Sequence, residues 1–155
     1  MTISRLATVF FTAIALVVPA GAAEPVAEAK KLFATYVERL NAFDPTVADL
    51  YADDAKIENT RKYPDGTTKT ALVPAAKYKE LLRGSMPAAK QSRDTSQFFT
   101  VDYKPVGDKV RIETTRLTSV RGDATPLTLV VGPGAGGKWM ILEEYSESRP
   151  ERNDM

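Results

Sequence analysis

The chain has 155 residues, 21 Lys+Arg against 20 Asp+Glu, and neither histidine nor cysteine. That length suits one domain with its own core, and the missing residues exclude disulfides, thiol nucleophiles, thiolate metal sites, histidine bases and ordinary serine triads. A formal net charge of +1 speaks against a nucleic-acid partner.

Residues 1–23 read as a secretory signal. Arg5 supplies the positive end, Leu6 to Val18 is an uncharged and mostly apolar run, and Ala20-Gly21-Ala22-Ala23 offers small residues for cleavage after Ala22 or Ala23. At ~1.5 Å per residue the run is too short to cross a ~30 Å hydrocarbon core. Retention as an anchor is the alternative. Cleavage implies a periplasmic or secreted domain with no membrane span and, since Arg5 leaves with the signal, no formal net charge. The domain is read as residues 24–148, followed by a polar tail over residues 149–155.

From Pro25, read as the first helical position, Val26, Ala29, Leu32, Phe33, Tyr36, Val37 and Leu40 form one helical stripe. Asp44-Pro45 starts a second short helix that runs to Tyr51. Ala55 to Tyr63 reads as a strand, turned by Pro64-Asp65-Gly66 into another that ends near Leu72. Pro74 starts a third helix through Tyr78, Leu81 and Leu82, ended by Gly84 and Pro87. The period then changes. Gln97–Tyr103, Lys109–Val120, Leu127–Val131 and Lys138–Ser146 are strand-like, and the short turns between them imply an antiparallel meander. Helices followed by hairpins make an α+β domain with the helices on one face of a curved sheet.

Two motifs add a family to this order. Tyr36-Val37-x-x-Leu40-Asn41-Ala42-x-Asp44, then Leu50-Tyr51-Ala52-Asp53-Asp54-Ala55-x-Ile57-Glu58, resemble the opening of the nuclear transport factor 2-like superfamily, most of all its ketosteroid isomerase and SnoaL-like branches. The resemblance implies a cone-shaped α+β barrel, or cystatin-like roll, with its sheet wrapped around the N-terminal helices. Isomerase chemistry in that branch needs a carboxylate base, plus a tyrosine and a protonated aspartic acid for the dienolate oxygen. The resemblance puts Tyr36 at the tyrosine position. Asn59 stands at the base position and cannot take up a proton. The acid would fall near Leu127–Leu129, where none exists. Steroid isomerisation by that route is not expected.

A cone leaves a cavity between its concave face and its helices. Alternation groups Ile57, Asn59, Arg61 and Tyr63 on one face of the first strand, and Val110, Ile112, Thr114, Arg116 and Thr118 on the long strand. On the last strand it groups Trp139, Ile141, Glu143 and Tyr145. The pocket candidates are therefore Tyr36, Asn59, Arg61, Tyr63, Arg116, Trp139 and Glu143. Three of them also have a plain structural reading. Tyr36 could be core, Asn59 could bind neighbouring backbone, and Arg116 could pair with Glu143 or Glu113. A bulge would void the inward set.

Other patterns are weaker. Gly132 to Lys138 matches a P-loop up to Trp139, which replaces the magnesium-binding hydroxyl, and a strand follows instead of a helix. Arg121-Gly122-Asp123 is turn composition. Asp49, Asp53 and Asp54 read as solvated acids rather than a metal site, and Lys56, Lys62 and Lys69 as a solvated sheet face. No catalytic residue, metal or cofactor is expected. The expected role is binding a small, largely apolar molecule. The alternatives are an interaction or dimerisation module using the outer sheet face, or an isomerase, cyclase or hydrolase with a divergent site.

Overall fold

The computed structural model describes residues 20–150, with side chains from Glu24 onward. The expected signal, apart from residues 20–23, and most of the polar tail lie outside the described residues. Helix α1 spans Ala20–Asn41, so it starts ahead of Pro25, which lies inside it. An alanine-rich stretch favours helix, and a proline near its start withholds only one N–H from the ladder. Ala29, Leu32, Phe33, Tyr36 and Leu40 are all buried along the expected stripe.

Asp44 then caps a 3-10 helix, Pro45–Leu50, its Oδ1 accepting from the Thr46 N–H at 2.8 Å. The chain becomes strand at Tyr51, four residues before the expected start. Strand β1 is Tyr51–Lys62 and β2 is Thr68–Val73. In the turn between them Asp65 Oδ1 accepts from the Thr67 N–H at 2.9 Å, and Gly66 takes a φ of 85°.

Helix α2 spans Ala75–Ser92 and runs through both Gly84 and Pro87, which the sequence reading placed at its end. The helix continues past Pro87, and Met86 beside it is buried. The helix stops at Arg93, whose left-handed backbone turns its N–H onto the Ala89 and Lys90 carbonyls.

Strands β3 (Ser96–Val106), β4 (Lys109–Thr118), β5 (Ala124–Pro133) and β6 (Trp139–Ser148) form the meander. The sheet order is β2-β1-β6-β5-β4-β3, which leaves it curved and unclosed with β2 and β3 as edges. β1 pairs with β6 in parallel, whereas every other pairing is antiparallel. The glycine-rich segment is the turn of the β5–β6 hairpin, with Gly136 and Gly137 at φ of 74° and 77°. No helix follows it, so it is not a P-loop.

Ile57, Ile112, Leu127, Leu129, Ile141 and Val131 line the concave face, and α1 lies across β3 to β6. Phe33 is the hinge of that packing, edge-on to Phe98 at 5.4 Å and to Tyr103 at 6.3 Å. Asn41 ties the end of α1 to the start of β3. Its Nδ2 donates to the Ser96 carbonyl at 3.0 Å and its Oδ1 accepts from the Ser96 N–H at 2.8 Å. Helix α2 packs on the 3-10 helix and β1. Asp49 and Asp53 brace it there through Arg83 at 2.6 Å and Lys79 at 2.7 Å.

Candidate functional site

On β6 the period of two breaks. Val130 of β5 faces Glu143 while the next residue, Val131, faces Ile141, so Leu142 is the extra residue of a bulge. Two residues rather than one then separate the inward side chains, Ile141 at 0% exposure and Glu144 at 2%. Glu143, expected inward, lies on the outer face instead, where its Oε2 accepts from the Tyr145 hydroxyl at 2.6 Å. The inward acid is Glu144.

Two tyrosines hold its carboxyl. The Tyr51 hydroxyl donates to Oε2, and the Tyr78 hydroxyl donates to Oε1 at 2.8 Å. Their rings meet edge-on at 5.3 Å. Arg116 lies near enough for its charge to act on Glu144 and Tyr36, and its Nε donates to Ser96 Oγ at 3.1 Å. The Arg116–Glu113 pairing considered from sequence fails on strand geometry, because residues 113 and 116 face opposite ways. Glu113 pairs on the outer face with Lys104 and, at 2.8 Å, with Arg111.

Asn59 is half-buried beside this group. Its Nδ2 donates to Ser146 Oγ at 3.0 Å, and Ser148 Oγ donates to its Oδ1 at 2.8 Å. Together these side chains border a cavity of about 410 Å³ lined by Ile57, Asn59, Tyr78, Arg116, Glu144 and Ser146 among others. A second cleft of about 570 Å³ lies under α2 against Tyr36, Leu40 and Met86, and Tyr78 and Arg116 line both.

The remaining candidates lie elsewhere. Arg61 sits 5.8 Å over the Tyr63 ring, beyond the cavity toward the β1–β2 turn. Trp139 pairs with Pro133 at the far end of β6 and packs on the core. Glu143 joins Asp53, Asp54, Lys56 and Leu142 around an outer recess of about 740 Å³. That recess is larger, but its acids and lysines are exposed or half-exposed and present no polar group sheltered from water. Among the described residues no group of three or more acids could hold a metal ion.

Burial raises the Glu144 carboxyl above the ordinary carboxylate range, although the two tyrosine hydroxyls and Arg116 oppose it. Burial also pushes Tyr36 up to about 12, and holds Tyr51 and Tyr78 well above their usual value with the Glu144 charge adding to it. For Arg116 burial works against the cation, but the neighbouring tyrosines and Glu144 outweigh it. A raised carboxyl means that the folded state binds the proton more tightly than the unfolded chain. Stability from Glu144 is therefore fullest below its unfolded pKa and declines as pH rises through the folded value. Asp44, Asp53, Asp65 and Glu113, all lowered by donors, slope the opposite way. Urea midpoints of wild type and Glu144→Gln across pH should isolate the first trend as a falling difference. A difference flat with pH would contradict it.

Tyr51, Tyr78 and Glu144 escaped the sequence reading. One signal was present. Trp139-Met140-Ile141-Leu142 is an unbroken apolar run, which hides the alternation where the bulge sits.

No protein-family model matches the chain, and no curated protein does. Solved structures do match. An NTF2-like protein of unknown function from Pseudomonas putida KT2440 superposes with a TM-score of 0.61 at 12% identity, covering 83% of this chain and 89% of that one. An NTF2-like protein with a cystatin-like fold from Novosphingobium aromaticivorans gives a TM-score of 0.54 at 15% identity, over 80% and 81% of the two chains. The chain adopts the nuclear transport factor 2-like fold. A protein from Catenulispora acidiphila, solved in complex with S-DNPA, shares the fold at a TM-score of 0.52 and 17% identity, over 78% and 90%. Within this NTF2-like frame Leu127 and Leu129 are each 1% exposed. Of the three isomerase positions implied by the resemblance, only Tyr36 carries the required chemistry.

Proposed function

We propose that this domain binds a small, largely apolar organic molecule in the cavity beside Glu144. One observation carries the reading: Glu144, Arg116 and Asn59 converge, beside the apolar surfaces of Ile57, Val73 and Tyr78, on a cavity that Asp94, Arg121, Asp123, Glu147 and Arg149 also border. Its volume falls in the range of small-molecule sites, roughly 300–1,000 Å³. The relative solved with S-DNPA supports the same use of the fold. The leader reading of residues 1–23 adds an extracytoplasmic setting for the ligand.

The interaction-module alternative draws less support. Among the described residues the exposed large apolar side chains are Leu72 on β2, Leu81 on α2, Phe99 and Val106 on β3, and Val120 in a turn. They sit on the sheet edges, a helix and a turn, not on the outer face of β1, β6 and β5, where a partner sheet would pack.

Thr118 also lines the cavity, so Thr118→Trp should fill it while leaving the Glu144 group intact. In a thermal-shift screen of neutral and charged aromatic and alicyclic molecules, wild type should give ligands that raise Tm. The folded variant should lose them. Ligands that stabilise both proteins equally, or a screen with none, would count against the reading.

A further inference from the structure

The two tyrosine donors on Glu144 are unequal. Tyr51 is fully buried in β1. Tyr78 stands on α2, whose fully buried residues are Ala75 and Met86, with Tyr78 and Leu82 packed half-buried on the core and Lys79 and Arg83 paired with Asp53 and Asp49. Elements held this way open at low cost relative to a core strand. Tyr78 also forms part of the wall between the two clefts, together with Arg116. Moving its ring would join them, at the cost of its edge-on contact with Tyr51.

We propose that Tyr78 holds the place of a ligand hydroxyl on Glu144, so that the cavity selects uncharged molecules donating one hydrogen bond from an apolar frame. The proposal rests on the binding reading above and names its ligand class. An incoming hydroxyl replaces the Tyr78 hydroxyl on Oε1 one for one, and no buried oxygen loses its partner. Molecules with only acceptors take the Tyr78 donor from Oε1 and supply none in return. A carboxylate placed on Oε1 would set a negative charge directly against Glu144 and offer that oxygen no donor. Tyr78 is then the residue that sets specificity, since it decides which molecules can take its place and opens the second cleft to longer ones.

Fluorescence titration of the full chain with naphthylmethanol and with its methyl ether tests this directly. Both probes are neutral at every pH and differ by one donor. Wild type should prefer the alcohol by about tenfold or more, the weight of one hydrogen bond to a carboxylate. Tyr78→Phe removes the competing hydroxyl and should bind the alcohol several-fold tighter than wild type does. Tyr51→Phe leaves the competitor in place and should not. Equal affinity for alcohol and ether, weaker alcohol binding by Tyr78→Phe, equal tightening in Tyr51→Phe, or no binding of either probe would each overturn the proposal. Screen ligands excluded by Thr118→Trp, alongside equal affinities for alcohol and ether, would sustain the cavity and remove the hydroxyl rule.

Discussion

Glu144→Ala should lower folding stability by about 3–5 kcal/mol, the cost of removing one partner from a buried charged network. The side chain is 2% exposed, and both its oxygens accept from tyrosine hydroxyls. Alanine takes the carboxylate acceptor from the fully buried Tyr51 hydroxyl, leaving it only the neighbouring Tyr36 and Tyr78 hydroxyls, and removes the counter-charge from Arg116. Glutamine keeps one carbonyl oxygen and should recover part of the loss. Replacing Tyr51 and Tyr78 by Phe together with Glu144→Leu removes donors and acceptor at once, and should cost less than alanine alone. Urea denaturation followed by circular dichroism measures all three. A loss under about 1 kcal/mol for Glu144→Ala would mean that the carboxyl is not buried as described.

Phe33→Ala should cost a similar amount, about 3–5 kcal/mol, for a different reason. Its ring is 6% exposed and meets Tyr36 at 6.1 Å, Phe98 at 5.4 Å and Tyr103 at 6.3 Å. These contacts join α1 to the edge strand β3, which has a neighbour on one side only. Truncation opens a void between layers that cannot collapse without moving the helix. The same unfolding assay applies, and hydrogen exchange should show β3 losing protection before β5 and β6. A near-neutral Phe33→Ala would contradict the packing of α1 into the cone.

Most elements were legible in the sequence because each rests on local chemistry. The stripe from Ala29 to Leu40, the Asp44-Pro45 start and the Asp65-Gly66 turn all announce themselves within a few residues. Positions decided by tertiary packing were not. Gly84 and Pro87 look like a stop, yet α2 continues past them with Met86 buried. The parallel pairing of β1 with β6 joins strands from opposite ends of the domain, and no local pattern encodes it.

The site divides in the same way. Asn59 and Arg116 follow regular alternation on β1 and β4 and do line the cavity. Glu143 follows the alternation of β6, which one inserted residue reverses, so its neighbour faces inward. That single residue exchanges Glu143 for Glu144 as the acid of the cavity, and sets its carboxyl between two tyrosines. Tyr78 could only be found once α2 was folded over β1.

Where a small molecule binds on this domain decides its function, and chemical-shift mapping by NMR addresses that most directly. Adding naphthylmethanol to the isotope-labelled protein should perturb Asn59, Tyr78, Arg116, Glu144 and Ser146, with the largest change on the Glu144 side-chain carboxyl. Perturbations confined to Lys56, Leu142, Glu143 and Tyr145 on the outer face, or none at saturating probe, would contradict it.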